Sequence, residues 1–498
     1  MNNSQNAMPL VAALQSWVQL QHAPFYTPGH KQGQGASPLL IQLLGSQIFQ
    51  ADLPELPGLD NLQAPEGVLL AAQQLAAEAF CANRTWFLTN GSTAGVLAAL
   101  LATCRPGDQV IVPRNCHQSV IAGLILAGAI PVFVYPEYDS VRDLAHCITP
   151  AAVAAALDRH PQAKAVFMLS PTYYGVCGDV AGIAQICHDA GLPLIVDEAH
   201  GPHFTCHPDL PTAALTAGAD LVVQSTHKVL SALTQAAMLH SQGERVDLDR
   251  VSKSLNLLQS TSPSYLLLAS LDAARHQMAT EGYRLMQQAL ALAKLARSQL
   301  GQVPGLSVLQ PDGAITPGFV ELDLTRLTVT VSELGLDGFT ADQLLCQRFG
   351  VVAELPSLHH LTFIISLGNT AVDIERLVRG LQALAAHHGS SQAVGGLPAI
   401  TAPLPISTWG CSPRSAFFAP TKLLPIEQTI GAVCAEFVCP YPPGIPVLMP
   451  GEVVTEAAIA YLQTIQQGGG RMTGCLDGSL NRLQVLANPY QEDPPPGG

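Results

Sequence analysis

The sequence predicts an α/β protein: a mostly parallel central sheet with helices on both faces, then a smaller α/β domain and a C-terminal α+β domain. Three observations predict it. Helical and short apolar segments alternate from about residue 62 to 240. The strand-like runs are near-continuously apolar, as in a sheet covered on both faces. Polar clusters recur at the ends of these runs, where open sheets of this kind bind ligands.

In chain order, "GVLLAAQQLAAEAF" and "STAGVLAALLATC" read as helices. Strands are expected at 109–113, 131–135, 165–169, 193–197, 220–224 and 235–239. The uncharged stretch 119–136 is long enough to suggest a membrane span. Gly128 can cap a helix over 119–128, however, and Pro131 opens the β-branched run that follows, so helix, turn and strand is the better reading. An amphipathic helix over 283–300 leads into the smaller domain, with strands in "GFVELDLTRL" and "LTFIISLG" and helices near 341–348 and 372–386. The expected divisions are an N-terminal arm (1–61), a large domain (62–290), the small domain (291–387), a Gly/Ser/Pro-rich linker (388–405), a C-terminal domain (406–488) and a disordered tail (489–498).

Composition narrows the class. The chain has 498 residues, 48% hydrophobic and only 12% charged, which suggests apolar surface hidden in an oligomer. A net charge of −14 without a basic cluster argues against nucleic acid, and its sign suits a cationic substrate. The 12 cysteines form no CxxC pair, so zinc is not expected, and reduced thiols in a cytoplasmic protein are the simplest account. No basic segment followed by an apolar core opens the chain, so no secretory signal is expected.

Polar clusters follow four of the strands: "VPRNCH", "SPTYYG", "DEAHG" and "STHK". Turn chemistry alone accounts for their Gly, Asn, Ser and Thr, but not for the Asp, His and Lys among them. Lys228 stands at the end of an apolar run behind Ser225, Thr226 and His227. Most lysines are solvated surface charges. One held in a cleft with a lowered pKa can instead form a Schiff base. A pyridoxal-phosphate site built on such a lysine needs an acid for the pyridinium nitrogen, a phosphate cradle and ring-face packing. Asp197 ends its strand and can supply the acid. Gly91, Ser92 and Thr93 precede a helix, where amides and hydroxyls can hold a dianion. Ser225 and His227 could reach the same phosphate, and His117 could lie against the ring. Taken singly, each has a plainer reading: a helix N-cap for "NGST", a turn former for Asp197, a core or rim histidine for His117 or His200.

The pieces "FYTPGHKQG" (25–33), "ADLPELPGLDNL" (51–62), "FLTNGSTAG" (87–95), "VPRNCHQS" (112–119), "SPTYYG" (170–175), "DEAHG" (197–201), "STHK" (225–228) and "YPPGIPVLMPGE" (441–452) carry a resemblance. Together they make the chain similar to the prokaryotic ornithine/lysine/arginine decarboxylases of pyridoxal-phosphate fold type I, over about residues 22–485. The resemblance implies a pyridoxal 5'-phosphate enzyme that decarboxylates arginine, lysine or ornithine. It implies that Lys228 is the Schiff-base lysine and that Asp197 keeps the ring nitrogen protonated. His117 and Ala199 would pack on the two ring faces. Gly91, Ser92, Thr93, Ser225 and His227 would bind the phosphate, with His200 also at the cofactor. Lys228 or His227 would return a proton to Cα. Glu436 becomes a candidate for the substrate's distal cation, with a solvated carboxylate or a pair with Arg414 as the alternatives. The short-form pattern, without an N-terminal wing domain, implies a homodimer or homotetramer. Another fold-type-I reaction (an aminotransferase or lyase) and a non-catalytic binding homologue stay open.

Overall fold

The computed structural model describes residues 3–311, 316–388, 408–441 and 444–488. The expected disordered tail, and the expected linker apart from His388, lie outside these residues. The central strands are, in chain order, β1 (Arg84–Leu88), β2 (Gln109–Pro113), β3 (Ile130–Val134), β4 (Ala165–Leu169), β5 (Leu194–Asp197), β6 (Leu221–Gln224) and β7 (Ala237–Ser241). Among the helices are α1 (Val68–Ala79), α2 (Gly91–Thr103), α3 (Gln118–Ala127) and α4 (Tyr265–Leu300). The chain divides into two compact units, the first formed by residues up to Thr103 together with Pro193–Gln287, the second by Cys104–Leu192 together with the residues from Gln288 onward.

In the first unit the strands lie in the order β1, β7, β6, β5. β5 and β6 are parallel, whereas β7 runs antiparallel to β6 and to β1. Two reversals restore the direction, so β1, β5 and β6 all end at one edge. The turns that carry Gly91, Asp197 and Ser225 are therefore brought to a single rim. Every residue of β5, β6 and β7 is buried, which explains runs such as "LIV" and "LVV". Helix α1 starts where it does because Asp60 accepts hydrogen bonds from Gly67, Leu69 and Glu66 amides. Partial burial raises the Asp60 pKa, but these amides outweigh it and hold the carboxyl below its usual range. Helix α2 lies close to the sheet because Gly95 has no side chain; a Cβ there would sit 2.8 Å from Leu88 and 2.9 Å from Val223.

In the second unit, β2 pairs in parallel with both β3 and β4. The stretch that could have suggested a membrane span is α3, closed by Gly128 in the left-handed conformation (φ 69°), followed by β3. Among the described residues no helix is long and apolar enough to cross a membrane. A separate sheet, including β8 (Arg326–Thr330) and β9 (His360–Ile364), is antiparallel throughout. Its core is built by Leu327, Val329, Leu361 and Phe363 against Leu345 of helix α5 (Gly338–Phe349) and Leu381 of α6 (Ala371–His388).

One polar chain crosses the buried sheet of the first unit. The Gln224 amide donates to Glu198 (2.7 Å) and its oxygen meets His240 Nε2 (3.1 Å), while His240 Nδ1 meets Thr85 Oγ1 (2.8 Å). The second Glu198 oxygen accepts from the Ala214 amide at 2.7 Å. Each polar group thus has a partner, which such a chain requires in a low-dielectric interior. Burial pushes His240 down to about 3, so the ring is neutral.

Burial is also the main cause that pushes Glu198 up, from 4.5 to about 8, against the hydrogen bonds from Gln224 and Ala214. An acid whose pKa is raised by folding stabilises the fold fully below its ordinary value and loses that contribution as pH climbs through the folded one. Urea midpoints of the parent should therefore fall between about pH 5 and about pH 8 relative to those of Glu198→Gln, which cannot ionise. Parallel midpoint curves for the two proteins would refute this assignment.

Candidate active site

The rim of the first unit brings together most of the residues expected at the site. Strand β1 ends at Leu88, and the turn behind it is fixed from both sides. The Thr89 amide donates to Gln259 Oε1 at 2.9 Å, and the Gln235 side chain donates to the Thr89 carbonyl at 2.7 Å. Gly91 has φ 74°, a left-handed conformation that favours glycine, and α2 begins there. Ser92 and Thr93 thus occupy the first turn of a 13-residue helix, at the positive end of its dipole. From the end of β6, Ser225 donates its hydroxyl to Ser92 Oγ at 2.8 Å. Two strand ends consequently converge on one hydroxyl-rich, amide-rich turn.

Asp197 closes β5 and is only 6% exposed. Burial raises its pKa; the Lys228 ammonium, and then the Ala199 amide that donates to Oδ1 at 3.1 Å, lower it. A buried carboxylate needs such a cation nearby to stay ionised. Lys228 Nζ lies 3.0 Å from His200 Nε2. Burial, and then the neighbouring Lys228 charge, hold His227 below the usual histidine range. Ala199 is buried next to Asp197. Gly91, Ser92, Thr93, Asp197, Ala199, His200, Ser225, His227 and Lys228 all belong to the first unit.

His117 and Glu436 belong to the second unit. His117 is the N-cap of α3, and its Nδ1 accepts from the Ser119 amide at 3.2 Å. That bond places the proton of the neutral ring on Nε2. Glu436 is buried, and its two carboxylate oxygens accept from the backbone amides of Leu476 (2.7 Å) and Gln484 (2.6 Å). Burial raises its pKa, with those two bonds opposing. Arg414 donates instead to the Ile125 and Leu126 carbonyls. Neither the solvated carboxylate nor the Arg414 pair therefore describes Glu436, which ties separate segments of its own unit together.

Sequence reasoning assigned no direct contact between His200 and Lys228, 28 residues apart. The register supplies it: Asp197 lies opposite Val223, so the turns after β5 and β6 face each other. Glu198 and Gln224 were also missed as supports. Their signal was available, since a carboxylate and an amide adjoin the two strand ends inside otherwise apolar runs.

The sequence of this chain matches the model for the Orn/Lys/Arg decarboxylase major domain over residues 8–373 and that for the Orn/Lys/Arg decarboxylase C-terminal domain over residues 414–476. It is 37% identical over 483 residues to the arginine decarboxylase of Bacillus subtilis, with 97% of this chain and 98% of that one aligned. It is 26% identical to the lysine decarboxylase LdcA of Pseudomonas aeruginosa, covering 92% of this chain and 75% of that one. The solved lysine decarboxylase LdcF of Francisella novicida matches with a TM-score of 0.83 at 22% identity, over 96% of this chain and 81% of that one. That likeness speaks to fold alone, the type I fold of pyridoxal-phosphate enzymes. By its sequence, the chain belongs to the Orn/Lys/Arg decarboxylase family.

Proposed function

We propose that this protein is a pyridoxal 5'-phosphate-dependent decarboxylase that converts arginine to agmatine and CO2. The observation that carries the reading is the shared rim on which Lys228, 3.0 Å from His200, stands with the buried Asp197 and with the Gly91–Ser92–Thr93 turn that Ser225 meets at 2.8 Å. Arginine is favoured among the basic amino acids because the relatives at 37% identity are named arginine decarboxylases.

The residues present fit the cofactor. A helix N-terminus with Ser92, Thr93 and Ser225 offers the donors a phosphate dianion requires. Asp197, which the Lys228 charge favours in its ionised form, suits a protonated pyridine nitrogen. Lys228 supplies the amine that would hold the cofactor, Ala199 and His117 would pack on its faces, and His227 would join the phosphate ligands. When bound, the cofactor supplies an electron sink for the bond broken at Cα.

The chain's own groups carry the remaining work. Loss of CO2 leaves Cα to be protonated, so each turnover consumes one proton. Lys228 Nζ and His200 Nε2, 3.0 Å apart, form a pair that can hold that proton and pass it on. His227, kept neutral by burial and by Lys228, is a second acceptor on the same turn. Glu436, with both oxygens held by amides, supports the C-terminal unit in this reading instead of binding the substrate. A homodimer or homotetramer accords with the exposure of Phe25, Leu39 and Leu43 on the N-terminal segment.

Lys228→Ala should lose both the visible absorbance of bound cofactor and agmatine production; full activity in that variant would sink the assignment. Asp197→Ala should retain cofactor weakly and lose at least about 100-fold in kcat, because the electron sink is weakened. Turnover near that of the parent would exclude the ring-nitrogen role. Competition among arginine, lysine and ornithine, read by product analysis, tests the substrate: agmatine should dominate, and a 2-oxo acid product would instead point to transamination.

A further inference from the structure

The Arg114 side chain is fully buried, three residues before His117, in a turn to which the proposed chemistry gives it no part. We propose that Arg114 and Glu452 form a clamp that fixes the His117 turn, making both of them positioning residues for the reaction. The link to catalysis rests on the ring-face role proposed above for His117.

The clamp is built from one backbone segment that meets the turn at two places. At the near end, the Gly444 carbonyl accepts from the Gln118 amide at 3.3 Å. Gly444 has φ 85°, and a Cβ on it would stand 3.7 Å from His117 Cδ2 and Nε2, so this backbone lies against the imidazole edge. At the far end, Arg114 donates from Nη1 to the Pro446 carbonyl (2.6 Å) and from Nη2 to the Val447 carbonyl (2.9 Å). Nη2 also lies 3.2 Å and 3.3 Å from the two oxygens of Glu452, whose Oε2 accepts the Met449 amide at 3.1 Å.

The anchor itself does not move easily. The Arg114 amide donates to the Val134 carbonyl at 2.9 Å, which continues the β2–β3 ladder past its last strand residue. Its guanidinium lies 5.8 Å from the Phe133 ring centre, and Phe133 stacks on Trp409 at 5.4 Å with an interplanar angle of 4°. Arg114 and Glu452 are both completely buried, so each charge depends on the other. Two carbonyls and a carboxylate around one side chain suit a planar fork, and a lysine ammonium cannot serve them together.

With its Nδ1 already held by the Ser119 amide, the His117 ring has its near side fixed by its own helix and its far edge fixed by Gly444. Releasing the segment frees the ring plane without changing any residue that would touch substrate. The expected signature is therefore a loss in kcat with little change in KM, because the defect is in alignment.

The test uses the full chain, as Arg114→Lys and as the double variant Arg114→Met with Glu452→Leu, which removes both charges so that neither is stranded. Deuterium uptake at the Gln118 amide in the cofactor-free protein, the thermal midpoint, and kcat and KM for arginine are measured on each. Arg114→Lys should raise the Gln118 exchange rate at least about tenfold and lower kcat about tenfold or more, with KM within about threefold. The double variant should regain the thermal midpoint while Gln118 exchange stays fast and kcat stays low. Unchanged Gln118 exchange in Arg114→Lys would overturn the clamp, and recovery of kcat together with the midpoint would reduce it to a purely structural pair. His117→Ala at full activity would overturn the link from turn to reaction, and would trace that failure to the role of His117, since the exchange data do not depend on it.

Discussion

The candidate site depends on a buried carboxylate and a half-buried amine at the ends of two parallel strands. Asp197 is disfavoured by its own burial and stabilised first by Lys228. A buried carboxylate is stabilised by a cation on the neighbouring strand end, which calls for a fixed alignment of the two strands. The parallel register supplies that geometry. Asp197 lies opposite Val223, and Lys228 follows five residues later on the turn that β6 feeds. His200, one turn beyond Asp197, meets the same amine.

Such a pair needs strand ends that do not slip. A purely apolar sheet interior fixes which face is buried but discriminates poorly between neighbouring alignments. The chain from Glu198 through Gln224 and His240 to Thr85 removes that freedom, since each member has a partner on the adjoining strand or turn. Sliding one strand would strand buried donors and acceptors. The two strongest members, Glu198 and Gln224, adjoin Asp197 and Ser225, so the register is held right beside the chemistry.

The sequence made the strands readable to within two residues at β2 through β7, because runs such as "QVIVP" and "AVFML" are uninterrupted and flanked by turn residues. It concealed β1. "RTWFL" opens with an arginine instead of continuing an apolar run, and it is a strand that pairs with β7. Yet the "TNGST" turn after it was readable, since glycine, serine and threonine before a helix have a local cause. The site divides the same way. Residues whose role is local to one turn were visible, whereas His200 against Lys228 and Arg114 against Glu452 depend on pairings 28 and 338 residues apart. Glu436 divides in itself: its place in a promising motif is readable in the sequence, whereas the two backbone amides that donate to its oxygens are not.

These two kinds of support explain why a C-terminal unit should matter to residues on a distant strand end. Asp197 is held within the first unit by its own strand and by the Ala199 amide, with the Lys228 charge favouring its ionised form. His117 is different: it sits on a turn between β2 and α3, and its helix holds Nδ1. The segment around Gly444 lies against its far edge, and that segment is held by a buried guanidinium. The placement of a helix N-cap is thereby transferred from local turn geometry to a long-range ion pair. An aromatic ring meant to lie flat against a ligand demands this, because a turn alone fixes position while leaving the ring plane free.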